Sequence, residues 1–413
     1  MRLFNTLSQS VESVQPHDEE VTLYVCGITP YDTTHLGHAF INVVYDTLRR
    51  HLLGRGQQVN YVQNVTDIDD DILRKAREVG RKWDELGTSE TQRYITDLTA
   101  LNVLPPTHYL RVSRDIPRIV ELVTSLIANG LAYERDGWVY YDVSADPGFG
   151  ALAEAAGYHG YDEWLATANE RGNFPDDPRK SDPLDFVLWQ AQQPGEPAWP
   201  SPWGEGRPGW HIECTALSTH YLGPRITIHG GGADLIFPHH TCEIAQSENA
   251  TGERPFVQVW MHCAMVSLDG EKMSKSLGNL ILAANLLKEY SPDAIRLLLL
   301  RNHYRTPWEY FQRDMAQSAS LAERLTAAAH ATPQAETPSE RDTVAERARE
   351  AFLDALDNDL DTPAAIEILS GLAAATLEEP TSDRVAAIRD LGDVLGLTLG
   401  GANPTSPAWT LDA

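Results

Sequence analysis

The chain has 413 residues, of which 42% are hydrophobic and 22% charged, so it is long enough for two or three domains with a sizeable core. Its net charge of −26 opposes binding to a phosphate backbone except at a local basic patch. The N-terminus lacks a signal-peptide pattern, and no apolar run approaches the ~18 residues of a membrane span, so we expect a cytoplasmic protein with no membrane partner.

The first elements form a β-α-β pattern. Residues 21–26 predict a short buried strand, residues 38–51 have helical apolar spacing, and residues 59–65 predict a second strand. The second strand ends at Thr66 and Asp67, which can cap the following helix. This order implies parallel strands with a right-handed crossover.

The predicted secondary structure changes twice along the next segments. Residues 88–129 predict a helical stretch, whereas residues 134–205 begin with a hairpin pattern and are rich in Gly, Pro, Asp and Trp. We interpret the latter as an insertion. Strand patterns at 226–229 and 256–259 then complete a doubly wound sheet, and from Pro292 onward the pattern is helical.

The predicted fold class is α/β, a Rossmann-type doubly wound parallel sheet with an inserted subdomain and a C-terminal α-helical bundle. The predicted units are the first half of the catalytic domain (1–133), the inserted connective subdomain (134–205), the second half with its lysine loop (206–290), a helical stem-contact region (291–331) and the C-terminal bundle (332–413). Residues 332–340 have the composition of a linker within the last unit.

Two short motifs suit phosphate chemistry. His35 and His38 bracket Gly37 where a helix begins, and a helix N-terminus attracts phosphate. Two histidines beside a turn can equally be exposed residues or helix caps. Lys272 and Lys275 lie on a Ser/Gly-rich segment suited to pyrophosphate charge, in a chain with only six lysines, which weakens the alternative of a solvated basic turn.

These motifs, in this order, resemble the signature of the class I aminoacyl-tRNA synthetase superfamily. The surrounding segments resemble its cysteine-activating branch, which contains the cysteinyl-tRNA synthetases and the cysteine:glucosaminyl-inositol ligases of mycothiol biosynthesis (MshC). The segments that carry this resemblance are 24–27, 64–70, 209–214 and 230–240. The resemblance implies activation of L-cysteine as cysteinyl-AMP from ATP and Mg²⁺, with His35, His38, Lys272 and Lys275 as catalytic residues.

A zinc site is the predicted means of selecting cysteine. A helix starting near Pro238 would put His239 and Glu243 on one face, while Cys26 and Cys214 would come from separate strand ends. Two thiolates, an imidazole and a carboxylate suit one Zn²⁺, which binds a substrate thiolate but not an alcohol. Without the resemblance, the same residues could be core cysteines and a helix start. Cys263 is interpreted as core, and Cys242 has no assigned role.

The resemblance also implies a set of residues around the adenylate. They are Cys26, Gly27, Ile28, Thr29, Asn64, Val65, Thr66, Trp210, Gly232, Ala233, Asp234, His239 and Val266. Ile41 is a departure, because the mycothiol ligases carry a threonine there.

The predicted acceptor is the amine of glucosaminyl-inositol, not tRNA. The chain lacks the expected basic anticodon-reading tail, and residues 337–413 hold 15 acidic residues against 5 arginines. Segments 28–32 and 170–175 also resemble the mycothiol ligases, although the second departs from their usual form. Glu243 favours the cysteinyl-tRNA synthetases instead, because it is the residue that they carry at this position.

Two alternatives remain open from the sequence. One is a truncated cysteine–tRNA ligase that charges tRNA, and the other is an inactive zinc-binding paralog. In the leading hypothesis, the protein is a monomer that uses ATP, L-cysteine and glucosaminyl-inositol as small-molecule substrates.

Overall fold

A computed structural model describes residues 1–17, 19–31, 34–273, 278–333, 342–401 and 409–411, without the side chain of Lys272. Its strands are β1 (Arg2–Asn5), β2 (Ser10–Ser13), β3 (Glu20–Ile28), β4 (Gln58–Val65), β5 (His108–Arg111), β6 (Ala132–Arg135), β7 (Trp138–Tyr141), β8 (Phe186–Ala191), β9 (Gly206–Pro208), β10 (Ile226–Gly232), β11 (Val257–Cys263), β12 (Val266–Leu268), β13 (Glu271–Lys272) and β14 (Trp308–Glu309).

Its α-helices are α1 (Leu36–Gly54), α2 (Asp70–Val79), α3 (Trp83–Ala100), α4 (Ile116–Ala128), α5 (Ala151–Ala155), α6 (Gly160–Glu170), α7 (Trp210–Leu222), α8 (Thr241–Thr251), α9 (Ala283–Leu286), α10 (Pro292–Leu300), α11 (Gln312–Ala329), α12 (Thr343–Asp357), α13 (Thr362–Glu378) and α14 (Ser382–Val394).

The central sheet has five strands, and all of its pairings are parallel. Their order is β5-β4-β3-β10-β11. The chain therefore builds outward from β3 in one direction and then returns to build outward from β10 in the other. This is the doubly wound arrangement that the sequence predicts, and it puts a topological switch point between β3 and β10.

Helices cover both faces of this sheet, which explains why its strands are apolar along their length. In β3, residues Val21 to Val25 are all buried. Helices α1 and α10 contribute to the apolar cluster on one face, and α4, α7 and α8 to the cluster on the other.

The continuous helical stretch predicted for 88–129 is wrong. Two helices, α3 and α4, are separated there by β5, which pairs with β4 at the edge of the central sheet. Only four residues form this strand, and the Tyr109 and Leu110 side chains are buried. A strand this short offers too few positions to show a period of two in the sequence.

The predicted cap at Thr66 and Asp67 is also displaced. The N-cap of α2 is Asp69, whose carboxylate accepts a hydrogen bond from the backbone N–H of Ile72 at 2.8 Å. The Asp67 carboxylate instead accepts from the backbone N–H and hydroxyl of Ser113, at 2.9 and 2.6 Å, and so joins the ends of β4 and β5.

An antiparallel sheet, β6-β7-β8-β9, occupies the predicted insertion. Its strands run from residue 132 to residue 208, slightly beyond the predicted 134–205. Helices α5 and α6 lie within it in sequence, and both contact the turn at Ile236–His240. The insertion is therefore packed against the carboxyl edge of the central sheet, where the site lies.

Helices α11 to α14 follow the sheet, as predicted, while residues 334–340 of the predicted linker lie outside the described residues. Arg296 on α10 is fully buried and joins this region to α1 and to the end of α3. Its guanidinium donates to the Asp46 carboxylate at 2.6 Å and to the carbonyls of Leu395 and Leu101 at 2.7 and 3.0 Å. Among the described helices, none has the length and apolarity needed to cross a bilayer.

Candidate active site

Four candidate metal ligands meet beside the switch point of the central sheet. Cys26 lies near the end of β3, His239 in the turn before α8, and Cys214 and Glu243 on α7 and α8. One ligand atom from each of these side chains lies within 4.8 Å of the others. The four residues predicted as a zinc set are thus brought together, although Cys214 is on a helix and the prediction of a strand end for it is wrong.

Burial disfavours the ionised forms of the two cysteine side chains in this cluster. It raises the pKa of the Cys26 thiol well above its usual value, with further contributions from Cys214 and Glu243. It also raises the pKa of Cys214. A bound cation reverses this effect by favouring the thiolate form. The donor set, two thiols, an imidazole and a carboxylate, fits zinc.

The histidine of this set is held in a defined orientation. Burial lowers the pKa of His239 well below its usual value, so the ring is neutral, as a metal ligand must be. Its Nδ1 lies 3.0 Å from Nδ1 of His211, and its Nε2 lies 3.2 Å from a Glu243 oxygen. When Nδ1 donates to His211, the Nε2 lone pair remains for a cation. Trp210 stacks on the His239 ring at 4.5 Å between centroids.

The sequence prediction missed a group of buried histidines behind the cluster. His229 and His240, with Cys26 and Glu243, form a second possible ligand set. The Cys26 sulfur lies 3.3 Å from Nε2 of His240 and 3.6 Å from Nε2 of His229. Nδ1 of His240 is bonded in turn to Nε2 of His262 at 2.7 Å. A histidine in each of two apolar strands, His229 in β10 and His262 in β11, was the available signal.

A cavity of about 730 Å³ runs from the four candidate metal ligands, here called the metal cluster, past the start of α1. The phosphate motifs lie along this cavity. Eight of the predicted residues line it: Cys26, Gly27, Ile28, His35, His38, Gly232, Asp234 and Val266. Ile41 and Met273 line it as well. A cleft at the carboxyl edge of a doubly wound sheet is where such folds bind nucleotides.

His35 acts as a helix cap in this structure. It is the N-cap of α1, and its Nδ1 accepts hydrogen bonds from the backbone N–H groups of Gly37 and His38 at 3.1 and 3.4 Å. The rings of His35 and His38 stack with centroids 3.7 Å apart. Capping and phosphate binding are compatible, because the cap fixes the ring where the positive end of the helix dipole faces the cavity.

Gly27 allows two strand ends to approach closely below this cavity. A side chain at this position would put its Cβ 1.6 Å from the carbonyl oxygen of Asn64. The Asn64 side-chain oxygen accepts from the Gly27 N–H at 2.9 Å and from the Tyr24 hydroxyl at 3.1 Å. Asn64 is fully buried and therefore supports the site from beneath.

Backbone hydrogen bonds join the first motif to residues that follow the second. Lys272 belongs to β13, which pairs with β12 beside the cavity, whereas Lys275 lies outside the described residues. After that gap the chain returns to the first motif, since the carbonyl of Ile281 accepts from the N–H of Leu36 at 2.8 Å. The N–H of Ala283 donates to the carbonyl of Thr34 at 3.0 Å. Met273, just before Lys275 in sequence, thus lines this cavity, and Ile281, which follows it, pairs with the first motif.

The remaining predicted residues are distributed around the site. Thr29, Trp210 and Asp234 line a second, adjoining cavity. Val65 and Thr66 are buried at the end of β4, and Ala233 begins the turn after β10. Cys263 is in the core as predicted, and Cys242 is buried in the apolar cluster beneath the second cavity.

Comparison with known proteins shows the family of this chain. Residues 12–320 match the family model described as tRNA synthetases class I (C) catalytic domain. The chain belongs to this family. It is therefore an ATP-dependent amino acid ligase, as the sequence predicts.

Curated relatives fall in both predicted groups. The L-cysteine:1D-myo-inositol 2-amino-2-deoxy-alpha-D-glucopyranoside ligase of Streptosporangium roseum is 43% identical over 96% of this chain and 94% of its own length. The cysteine–tRNA ligase of Dehalococcoides mccartyi is 42% identical over 97% of this chain and 87% of its own length. The resemblance to the cysteine-activating branch is confirmed.

A solved structure supports the fold alone. Methionyl-tRNA synthetase of Mycobacterium tuberculosis, in complex with methionyl-adenylate, superposes with a TM-score of 0.62 at 14% identity, covering 91% of this chain and 89% of that one. The Rossmann-type core of the class I synthetases is therefore the fold of this chain.

Proposed function

We propose that this protein activates L-cysteine as cysteinyl-AMP and transfers the cysteinyl group to the amine of glucosaminyl-inositol, forming an amide. The observation that carries the first half is the convergence of Cys26, Cys214, His239 and Glu243 at one end of a nucleotide-sized cavity. A site for the sulfur and a site for the nucleotide would thus be adjacent, as an enzyme that adenylates cysteine requires.

The four-residue cluster would hold one zinc ion. When bound, zinc would bind the thiolate of the substrate cysteine, an interaction that the hydroxyl of serine does not reproduce at neutral pH. His211 would keep His239 in the correct tautomer, and Trp210 would fix the plane of its ring. The polar histidines behind Cys26 would hold its sulfur from the opposite side.

Adenylation would take place along the cavity that begins at this cluster. The carboxylate of cysteine would attack the α-phosphate of ATP, supplied with Mg²⁺, and pyrophosphate would leave. His35 and His38 would donate hydrogen bonds to the phosphates at the N-terminus of α1. Lys272 and Lys275 would neutralise the charge that develops on the pyrophosphate, because Met273 lines this cavity and Ile281 pairs with the start of α1.

The choice of acceptor is supported by the relatives and by charge. Relatives named as ligases for the amino sugar are 43% and 45% identical over more than nine-tenths of this chain. The net charge of −26 also opposes association with a phosphate-rich acceptor. The second candidate is a cysteine–tRNA ligase, favoured by relatives of that name at 41–43% identity.

The deciding experiment compares the two acceptors directly. The purified protein is incubated with ATP, cysteine and either glucosaminyl-inositol or tRNA, and the products are identified by mass spectrometry and by charging with labelled cysteine. We expect the amide with the amino sugar and no charged tRNA. Charged tRNA without amide would replace the proposal with the second candidate.

A separate measurement tests the first half-reaction. Cysteine should support ATP–pyrophosphate exchange, serine should not, and metal analysis of the native protein should find one zinc per chain. A protein without zinc that activates serine as readily as cysteine would contradict the proposed selectivity.

A further inference from the structure

A second cavity opens beside the nucleotide cavity, between the central sheet and the inserted sheet. Its volume is about 580 Å³, and both cavities are lined by Asp234 and Leu235. Thr29 and Trp210 line it from the core, close to the metal cluster, and Arg171 lines it from the insertion. A molecule in this cavity can therefore reach the carbonyl group of a cysteinyl-adenylate. The side chain of that cysteine would lie at the metal cluster, and its AMP would occupy the first cavity.

The lining of this cavity is predominantly acidic. Seven carboxyl groups face three cationic side chains: Asp69, Asp70, Asp71, Glu170, Asp177, Glu213 and Asp234 against Arg171, Lys180 and Arg207. The cations are occupied by protein partners. Arg171 donates to the carbonyls of Asp234 and Phe237, Arg207 pairs with Asp70 and Glu196, and Lys180 bonds to Asn173. Such a cavity suits a polyhydroxylated cation and opposes a phosphodiester.

Asp69 lines this cavity and is bonded to Thr29, which follows β3. Its Oδ1 accepts from the N–H of Ile72 as the cap of α2, and its Oδ2 accepts from the Thr29 hydroxyl at 2.9 Å. Thr29 follows the end of β3, three residues after Cys26. The carboxylate is thereby held in one orientation at the cavity wall, next to the residues of the cysteine site.

We propose that the second cavity receives the acceptor amine and that Asp69 is the base that takes its proton. This inference rests on the proposed function and adds a residue to its second half-reaction. The ammonium group gives one proton to the Asp69 carboxylate, and the freed nitrogen lone pair forms the C–N bond at the cysteinyl carbonyl. The electron pair of the C–O bond leaves with AMP, and the second nitrogen proton passes to solvent after Asp69 has released the first.

The electrostatics of the site suit this role. Burial raises the pKa of Asp69 to about 6; the neighbouring carboxylates Asp71 and Asp70 add to this, and the hydrogen bonds from Ile72 and Thr29 oppose it. The other titratable groups that face it are Tyr31, whose hydroxyl bonds to Asp71, and the buried Glu213, near Arg207. A base with a pKa near the working pH exchanges protons most effectively.

Asp69→Asn tests the inference, because asparagine keeps the helix cap but cannot take the proton. Cysteine-dependent pyrophosphate exchange measures the first half-reaction, and single-turnover amide formation from glucosaminyl-inositol measures the second. We expect exchange within about twofold of the unmodified protein and transfer slowed roughly 100-fold. The unmodified protein should also show a transfer rate that rises with pH through about 6, and the variant should lack this rise.

Asp361→Asn is the matched control, since Asp361 caps α13 in the C-terminal region and likewise accepts from the backbone N–H three residues further on. It should change neither half-reaction. Amide formation by Asp69→Asn at the normal rate, or an equal loss of pyrophosphate exchange, would overturn the role of Asp69 and leave the proposed function intact. An unmodified protein that exchanges pyrophosphate but forms no amide would overturn both.

Discussion

The metal cluster and the phosphate end of the site are built in different ways. The cluster takes its four donors from β3, α7, α8 and the turn before α8, and all four side chains lie in the interior. The phosphate end consists of two short motifs, each local in sequence, at the start of α1 and around β13. Under the proposed function, selection of sulfur would therefore depend on tertiary packing, whereas nucleotide chemistry would depend on local segments.

Cys214→Ala should have the largest effect, because it removes one donor from the packed cluster. We expect the variant to lose stoichiometric zinc and its pyrophosphate exchange to fall by more than about a thousandfold, since a bound metal supplies several kcal/mol of stabilisation. Metal analysis and the exchange assay measure the two losses. Cys263→Ala, at a buried thiol in the core, is the control and should retain zinc. Full zinc content in Cys214→Ala would show that the cluster has been misassigned.

Lys275→Ala should affect rate alone and so separate the two ends of the site. We expect the adenylation rate to fall about 100- to 1,000-fold while zinc content and cysteine affinity stay unchanged, because the lysine acts on charge that develops in the transition state. Rapid-quench measurement of adenylate formation gives the rate. Lys288→Ala, at an exposed lysine bonded to Asn285, should have no effect. An unchanged rate in Lys275→Ala would remove this residue from the chemistry.

His211→Ala should weaken the cluster without removing a donor. The partner that orients His239 is lost, so zinc affinity should fall about 10- to 100-fold. Competition with a chelator measures the affinity, and His220→Ala, at the exposed end of α7, is the control. Equal zinc affinity in both variants would mean that the 3.0 Å contact does not orient the ligand.

Ile41→Thr should have the smallest effect. Ile41 lines the nucleotide cavity, and a threonine hydroxyl there can add one hydrogen bond to the adenylate. One such bond is worth about 0.5–1.5 kcal/mol, so we expect the KM for ATP to fall about 2- to 10-fold. Steady-state exchange measures it, with Ile41→Val as a control for the change of shape. A higher KM in the threonine variant would indicate that packing of Ile41 matters more than polarity.

Much of the fold follows from local sequence. The alternation of apolar strands and amphipathic helices predicts the doubly wound sheet, and β3, α1 and β4 lie close to their predicted bounds. The His239 and Glu243 spacing is likewise a local property of one turn of helix. By contrast, β5 is too short to show a period, and its identity depends on pairing with β4.

The errors of the sequence prediction at the site have a common cause: the positions of these residues depend on tertiary contacts. Cys214 occupies α7, where the helix period is obscured because residues from Ile212 to Ser218 are all buried. The ring contacts of His229 and His240 to Cys26 join residues more than 200 positions apart. Asp69 replaces Thr66 and Asp67 as the cap because Asp67 is bonded to Ser113, just beyond the end of β5, a strand that the sequence does not reveal.

Arg296 has a consequence for the chain as a whole. Its buried charge is satisfied jointly by Asp46 of α1 and by carbonyls at Leu101 and Leu395, so three distant stretches share one guanidinium. Loss of any one of these contacts leaves a buried charge or carbonyl without its hydrogen-bond partner. Such a loss costs far more free energy of folding than the loss of a surface contact. We therefore expect removal of the C-terminal helices to destabilise the sheet domain, because the Leu395 carbonyl is one of the acceptors of this guanidinium.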